Sequence, residues 1–117
     1  MLAKQFRLAK EKDFKKIFKL GQASYTAKIF RVKILANGLA VNRYGIVISS
    51  KVSKKAVERN KLKRQFRAAI KEFNEKLVGG FDLVIIVFSA ALSHEYKFIK
   101  SELKKTLLIL KLFKSHV

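Results

Sequence analysis

Apolar positions along the chain change period several times, and each change marks a predicted element. Residues 13–19 place Phe14, Ile17 and Phe18 at i, i+3 and i+4, a short helix whose rings share one face, with Gly21 positioned to end it. Between residues 29 and 35 the period drops to two: Phe30, Val32 and Ile34 point one way, Arg31 and Lys33 the other, as in a half-buried strand. Asn37-Gly38 supplies the residues of a tight two-residue turn, and residues 44–49 form a second apolar run. An antiparallel hairpin is therefore expected.

The helical period returns over residues 54–77, where Leu62, Phe66, Ala69, Ile70, Phe73 and Leu77 recur at steps of three and four, and Ser53 is placed to cap the start. Gly79-Gly80 stops this helix. Residues 83–88 are a continuous run rich in Val and Ile, the pattern of a central strand buried on both faces, so a strand–helix–strand crossover is predicted. A last helix is expected from a Ser93 cap to about residue 113, with Tyr96, Ile99, Leu103, Leu107 and Leu110 inward. No repeat, linker or low-complexity segment interrupts the 117 residues, which fit a single domain spanning residues 1–117.

Charge changes the picture more than any other property. Lys and Arg number 27 against 8 Asp and Glu, a formal net charge of +19. A chain this basic attracts polyanions and resists self-association. There is no Cys, which excludes a disulfide scaffold, a thiolate metal site and a Cys nucleophile, and the only imidazoles are His94 and His116, a poor basis for a metal cluster or a catalytic triad. Lys and Arg interrupt the apolar residues of the first twenty positions, unlike a signal peptide, and no apolar run approaches the roughly 18 residues of a membrane span. A soluble, unexported, cytoplasmic protein is expected, with nucleic acid favoured over an anionic membrane surface as partner.

The cations are also sorted. At 100° per residue, Asn60, Lys63, Arg64, Arg67 and Lys71 fall in one stripe of the long helix, away from its apolar residues. Residues 51–71 hold nine cations and one anion. A face evolved only for solubility mixes signs to gain i,i+4 pairs; like charges crowded together repel one another until they meet phosphates. Guanidiniums take phosphate oxygens in bidentate fashion, and the Asn60 amide has donors and an acceptor for a 2′-OH or a base edge. By themselves these residues leave open a binder of structured RNA such as a ribosomal protein, a DNA-binding module using the same helix, or a nuclease with its own metal.

One stretch is more specific. The run Ala56-Val57-Glu58-Arg59-Asn60-Lys61-Leu62-Lys63-Arg64-Gln65-Phe66-Arg67, preceded by Ser49-Ser50-Lys51, resembles the signature of the bacterial ribonuclease P protein family, in which Ala-Val-x-Arg-Asn-Arg-hydrophobic-Lys-Arg-x-hydrophobic-Arg opens the long helix. Leu8 with Asp13-Phe14, Phe18 and Gly21 resembles the family's first helix, Arg43-Tyr44-Gly45-Ile46 one of its strands, and Asp82-Leu83-Val84-Ile85-Ile86 its buried strand. Departures occur at Lys61, where the family usually has a second Arg, at Ser50 in place of Lys, at Ala68 in place of Glu, and at Phe88 in place of a strand-ending Arg. Lys61 keeps the charge and loses the bidentate geometry.

The resemblance implies an α/β (α+β) two-layer sandwich in the order αβββαβα, with a left-handed strand–helix–strand crossover against the general right-handed rule. It implies the protein subunit of ribonuclease P, a monomer in a 1:1 ribonucleoprotein whose RNA is the Mg²⁺-dependent catalyst that removes the 5′ leader of precursor tRNA. It further implies that Arg59, Asn60, Lys61, Lys63, Arg64, Arg67 and Lys71 hold the RNA subunit, with no catalytic residue and no metal ligand in the protein. The single-stranded leader is expected in a cleft beside the first helix, stacked on a contiguous aromatic surface of Phe14 and Phe18, with Arg31, Lys33 and Lys51 along its backbone.

Overall fold

A computed structural model describes residues 3–114; Met1, Leu2 and residues 115–117, His116 among them, lie outside the described residues. The order is α1 (Glu11–Leu20), β1 (Ala23–Thr26), β2 (Phe30–Ala36), β3 (Arg43–Val47), α2 (Ala56–Asn74), β4 (Phe81–Val87) and α3 (Tyr96–Ile109), with 3-10 turns at Lys4–Phe6 and Ser89–Ser93. This is the expected αβββαβα order of an α+β fold. The strands form one four-stranded mixed sheet in the order β1-β2-β4-β3, in which β4 runs antiparallel to β2 and parallel to β3.

Alternation along each strand decides what covers the sheet. Phe30, Val32, Ile34, Leu83, Ile85 and Val87 face α2 and α3 and build the main core with Leu62, Phe66, Phe73, Ile99, Leu103 and Leu107. Phe66 meets Phe30 edge to face, at 5.8 Å between ring centres. The alternate residues Val84, Ile86, Leu35 and Val47 face the opposite side, where Ile17 of α1 and Leu8 of the segment before it close a smaller core. Strand β4 is covered on both faces and paired on both edges, which explains its unbroken apolar run.

The hairpin expected between β2 and β3 does not form, because β4 lies between them. Strands sit about 4.8 Å apart, so a two-residue turn joins only neighbours. The chain instead spans residues 37–42. Asn37 Oδ1 accepts the Leu39 N–H at 2.8 Å, and the Asn37 N–H bonds to the Gly80 carbonyl at 2.9 Å. This loop passes so close over the entry to β4 that a Cβ on Gly79 would stand 2.2 Å from the Ala40 carbonyl oxygen.

Strand β1, which showed no separate periodicity, pairs along the outer edge of β2 and is mostly exposed. Neither serine acts as the expected cap. Lys55 is the N-cap of α2 and Glu95 that of α3, both without a side-chain cap bond. Ser53 instead receives the Lys55 N–H at 3.1 Å and bonds the Glu58 carboxylate, whereas Ser93 lies in the preceding 3-10 turn and donates to the Ala90 carbonyl. Helix α3 ends at Ile109 because Lys111 turns left-handed (φ 58°), letting the Leu112 N–H bond back to the Leu107 carbonyl; the tail then runs beside residues 76–78.

A buried polar network ties α2 to the sheet. Asn42 donates to the Val78 carbonyl at 2.8 Å and accepts the Phe81 N–H at 2.8 Å, while the Tyr44 hydroxyl donates to Asn74 Oδ1 at 2.6 Å. Burial pushes the Tyr44 hydroxyl up to about 12 from its ordinary value of 10.0. The folded state therefore holds this proton more tightly than the unfolded chain. The resulting stabilisation is complete below pH 10.0 and is lost as pH rises towards about 12. In urea denaturation across this range, the stability difference between the native protein and Tyr44→Phe should shrink steadily with pH; a constant difference would refute the linkage.

Candidate nucleic-acid interface

Helix α2 buries Leu62, Phe66, Ala69, Ile70 and Phe73, and its position against the sheet turns the basic stripe outward. Asn60, Arg64 and Lys71 are exposed, Lys63 and Arg67 half-buried at the margins, and Lys61 is exposed on the flank towards the Ser89–Ser93 turn. Arg59 differs from the rest: its Nη1 donates to the Ser53 carbonyl at 2.7 Å, so part of its guanidinium fastens the loop that enters the helix. Buried Val52 anchors the same loop, and Lys51 stands exposed beside it.

The second expected surface lies across the sheet. Phe14 packs so closely on β3 that a Cβ on Gly45 would stand 2.5 Å from its ring, and the missing side chain is what lets the ring settle there. Phe18 is 43% exposed, with the Lys33 ammonium 5.5 Å from its ring centre. Phe14 therefore rests on β3 and Phe18 lies beside β2. Helical spacing places two residues on one side of a helix, but α1 crosses the sheet and distributes them. Arg31 lies on the same sheet face as Lys33, half-buried, its Nε without a hydrogen-bond partner. Pairing of Arg31 with Ile86, and of Ile86 with Val47, carries this basic and apolar strip across the sheet towards the loop holding Lys51.

Two features of the site have no signature in the sequence. A groove of about 310 Å³ wraps the outer edge of β3, where residues 7–9 run beside Tyr44. Phe14 and Gly45 line it from the α1 side and Arg67 from α2, so the basic stripe and the aromatic cleft meet there. The other feature is a clasp. Arg43 binds Asp82 through two bonds of 2.9 and 2.7 Å and lies 3.6 Å from Asp13, while the Asn37 amide donates to Asp82 at 3.0 Å. Hydrogen bonding to Asp82 raises the pKa of Arg43 further. The first turn of α1, and with it Phe14, is thereby held to the sheet.

Residues 2–111 match the family model for Ribonuclease P. The ribonuclease P protein component of Synechocystis sp. is 37% identical over 105 residues, covering 89% of this chain and 84% of that one, and its counterpart from Alkaliphilus oremlandii is 32% identical over 95% and 96%. Among solved structures, the Staphylococcus aureus ribonuclease P protein superposes with a TM-score of 0.85 at 31% identity over 93% of this chain and 98% of that one. The Thermotoga maritima protein gives 0.79 at 30% identity over 92% and 98%.

The clasp sets an expectation for stability. Asp82 is 7% exposed at its side chain, so removing Arg43 strands a nearly buried carboxylate. In urea titrations, Arg43→Met should cost about 2–3 kcal/mol, whereas Asp13→Asn, which loses only the longer and more accessible pair, should cost less than about 1 kcal/mol. Equal losses would show that the Asp13 pair, and not the Asp82 pair, carries the clasp.

Proposed function

Because this chain belongs to the ribonuclease P protein family, we propose that it serves as the protein subunit of a 1:1 ribonucleoprotein that removes the 5′ leader from precursor tRNA in the cytoplasm. In this reading α2 docks on the catalytic RNA through Asn60, Lys61, Lys63, Arg64, Arg67 and Lys71, with Arg59 both a phosphate contact and a fastener of the entry loop. The leader runs between α1 and the open sheet face, past Phe14 and Phe18, with Arg31, Lys33 and Lys51 along its phosphates. The observation that carries the reading is the meeting of the basic stripe and the cleft at the edge of β3, where Arg67 and Phe14 line one groove. A substrate leader and the RNA that cuts it must lie side by side, and so do these two surfaces.

The chemistry is assigned to the RNA subunit, with its Mg²⁺. Among the described residues no group of three or more His, Cys or acidic side chains is arranged to hold a metal ion. Six of the eight carboxylates are engaged within the protein: Asp13 and Asp82 with Arg43, Glu11 with Lys15, Glu58 with Ser53, Glu72 with Lys100 and Glu102 with Lys105. The protein's own part is electrostatic and positional: it offsets phosphate repulsion where two RNAs converge and gives the leader a surface that accepts any base. No helix among the described residues is long and apolar enough to cross a membrane.

Affinity for ribonuclease P RNA should fall steeply with salt, as each neutralised phosphate releases counterions. Arg64→Ala and Arg67→Ala should each reduce the slope of log K against log salt by about one. A flat plot for the unmodified protein would overturn the docking role of α2.

Phe18→Ala is the cleaner probe of the cleft, since Phe14 is partly committed to packing on Gly45. Stacking contributes roughly 1–3 kcal/mol per base, so precursor tRNA with a leader should bind the assembled variant about 5- to 150-fold more weakly, with mature tRNA unaffected. Equal loss for both RNAs, from a variant that remains folded, would remove Phe18 from the leader path.

A further inference from the structure

Where the Ser89–Ser93 turn gives way to α3, His94 lies in extended conformation outside the helix and its imidazole stacks on Phe98, with ring centres 4.1 Å apart and planes within 17°. The two ring pairs of the core, Phe30 with Phe66 and Phe73 with Phe113, meet edge to face at 80° and 81°, the usual geometry for buried aromatics. Parallel stacking at the surface is different in kind. It offers a flat π-face to anything that arrives from outside.

His94 is half-exposed and forms the ridge between two open grooves. One holds Lys61 and Gln65 of α2, together with Glu58 and Leu92. The other holds Ser93, Glu95, Lys97 and Ser101. Each groove thus carries one cation and one carboxylate, Lys61 with Glu58 and Lys97 with Glu95; Glu58 is turned to the Ser53 hydroxyl, and both ammonium groups are exposed, one on each side of the ring. An aromatic face between two cations, with amide and hydroxyl groups in reach, is the arrangement that binds an unpaired nucleotide: the ring takes the base and the ammonium groups take its flanking phosphates.

We propose that the His94–Phe98 corner is a base-stacking site for an unpaired nucleotide of the RNA subunit, extending the interface of α2 onto α3. The inference rests on the reading that α2 docks on that RNA. Topology selects the source. The leader cleft lies under α1 on one face of the sheet, whereas α2 and α3 cover the other, and Lys61 belongs both to the basic segment and to the groove beside His94. A base at His94 therefore comes from the RNA that α2 holds.

The test measures affinity for ribonuclease P RNA, its salt slope and thermal stability for His94→Ala, His94→Leu and His94→Phe, beside Arg64→Ala. Loss of one stacked base predicts about 5- to 150-fold weaker binding for the Ala and Leu variants at unchanged salt slope, and near-native binding for Phe. Leu preserves packing against Phe98 without a π-face, so native affinity in His94→Leu would show that His94 only fastens the start of α3 and would overturn the proposal. So would unchanged binding in His94→Ala, or a loss seen only with leader-bearing precursor tRNA. If Arg64→Ala also left affinity and slope unchanged, the docking reading itself would fail, and this inference with it; an effect of Arg64→Ala without one at His94 would refute the stacking site alone.

Discussion

Strand β4 is the constraint on which the other elements depend. It is hydrogen-bonded to β2 on one edge and β3 on the other, with Leu83, Ile85 and Val87 turned into the α2–α3 layer and Val84 and Ile86 turned towards α1. Both candidate RNA-binding surfaces are therefore supported from one strand, the basic helix on one face and the aromatic cleft on the other. The polar exception within it, Asp82, holds Arg43 and through it the first turn of α1. A change in the packing of β4 would move both surfaces together.

A net charge of +19 on 117 residues opposes compaction, and the molecule answers it locally rather than by neutralisation. Four of its eight carboxylates fasten elements to one another: Asp13 and Asp82 hold α1 to the sheet, Glu72 pairs with Lys100 between α2 and α3, and Glu58 steadies the loop entering α2. The cations of the outward stripe are left facing one another across solvent. Their repulsion is tolerated because the apolar side of α2 is well buried, and a polyanion bound there would relieve it.

The groove at the edge of β3 relates the two surfaces to each other. Gly45 matters here through what it lacks, since the space of a missing side chain is occupied by the Phe14 ring, and Arg67 reaches the same groove from α2. The candidate cleft and the basic stripe are in this sense neighbouring parts of one surface that wraps the edge of β3.

Much of this was legible in the sequence wherever a single element carried the information. A helix shows its faces through a period of 3.6 and a strand through a period of two, so the apolar and basic sides of α2, the alternation of β2 and the burial of β4 followed from spacing alone. What required the tertiary structure were relations between elements. Asn37-Gly38 is a local turn signal, but which strand lies beside β2 is decided by the burial of β4 on both edges, and the mostly exposed β1 carried too little apolar pattern to announce itself. Phe14 and Phe18 share a side of their helix yet rest over different strands because α1 crosses the sheet. The pairing of Arg43 with Asp82, 39 residues apart, and the shared groove of Arg67 and Phe14 have no periodic trace. Spacing reports what one element repeats, whereas these contacts exist only after packing has brought distant elements together.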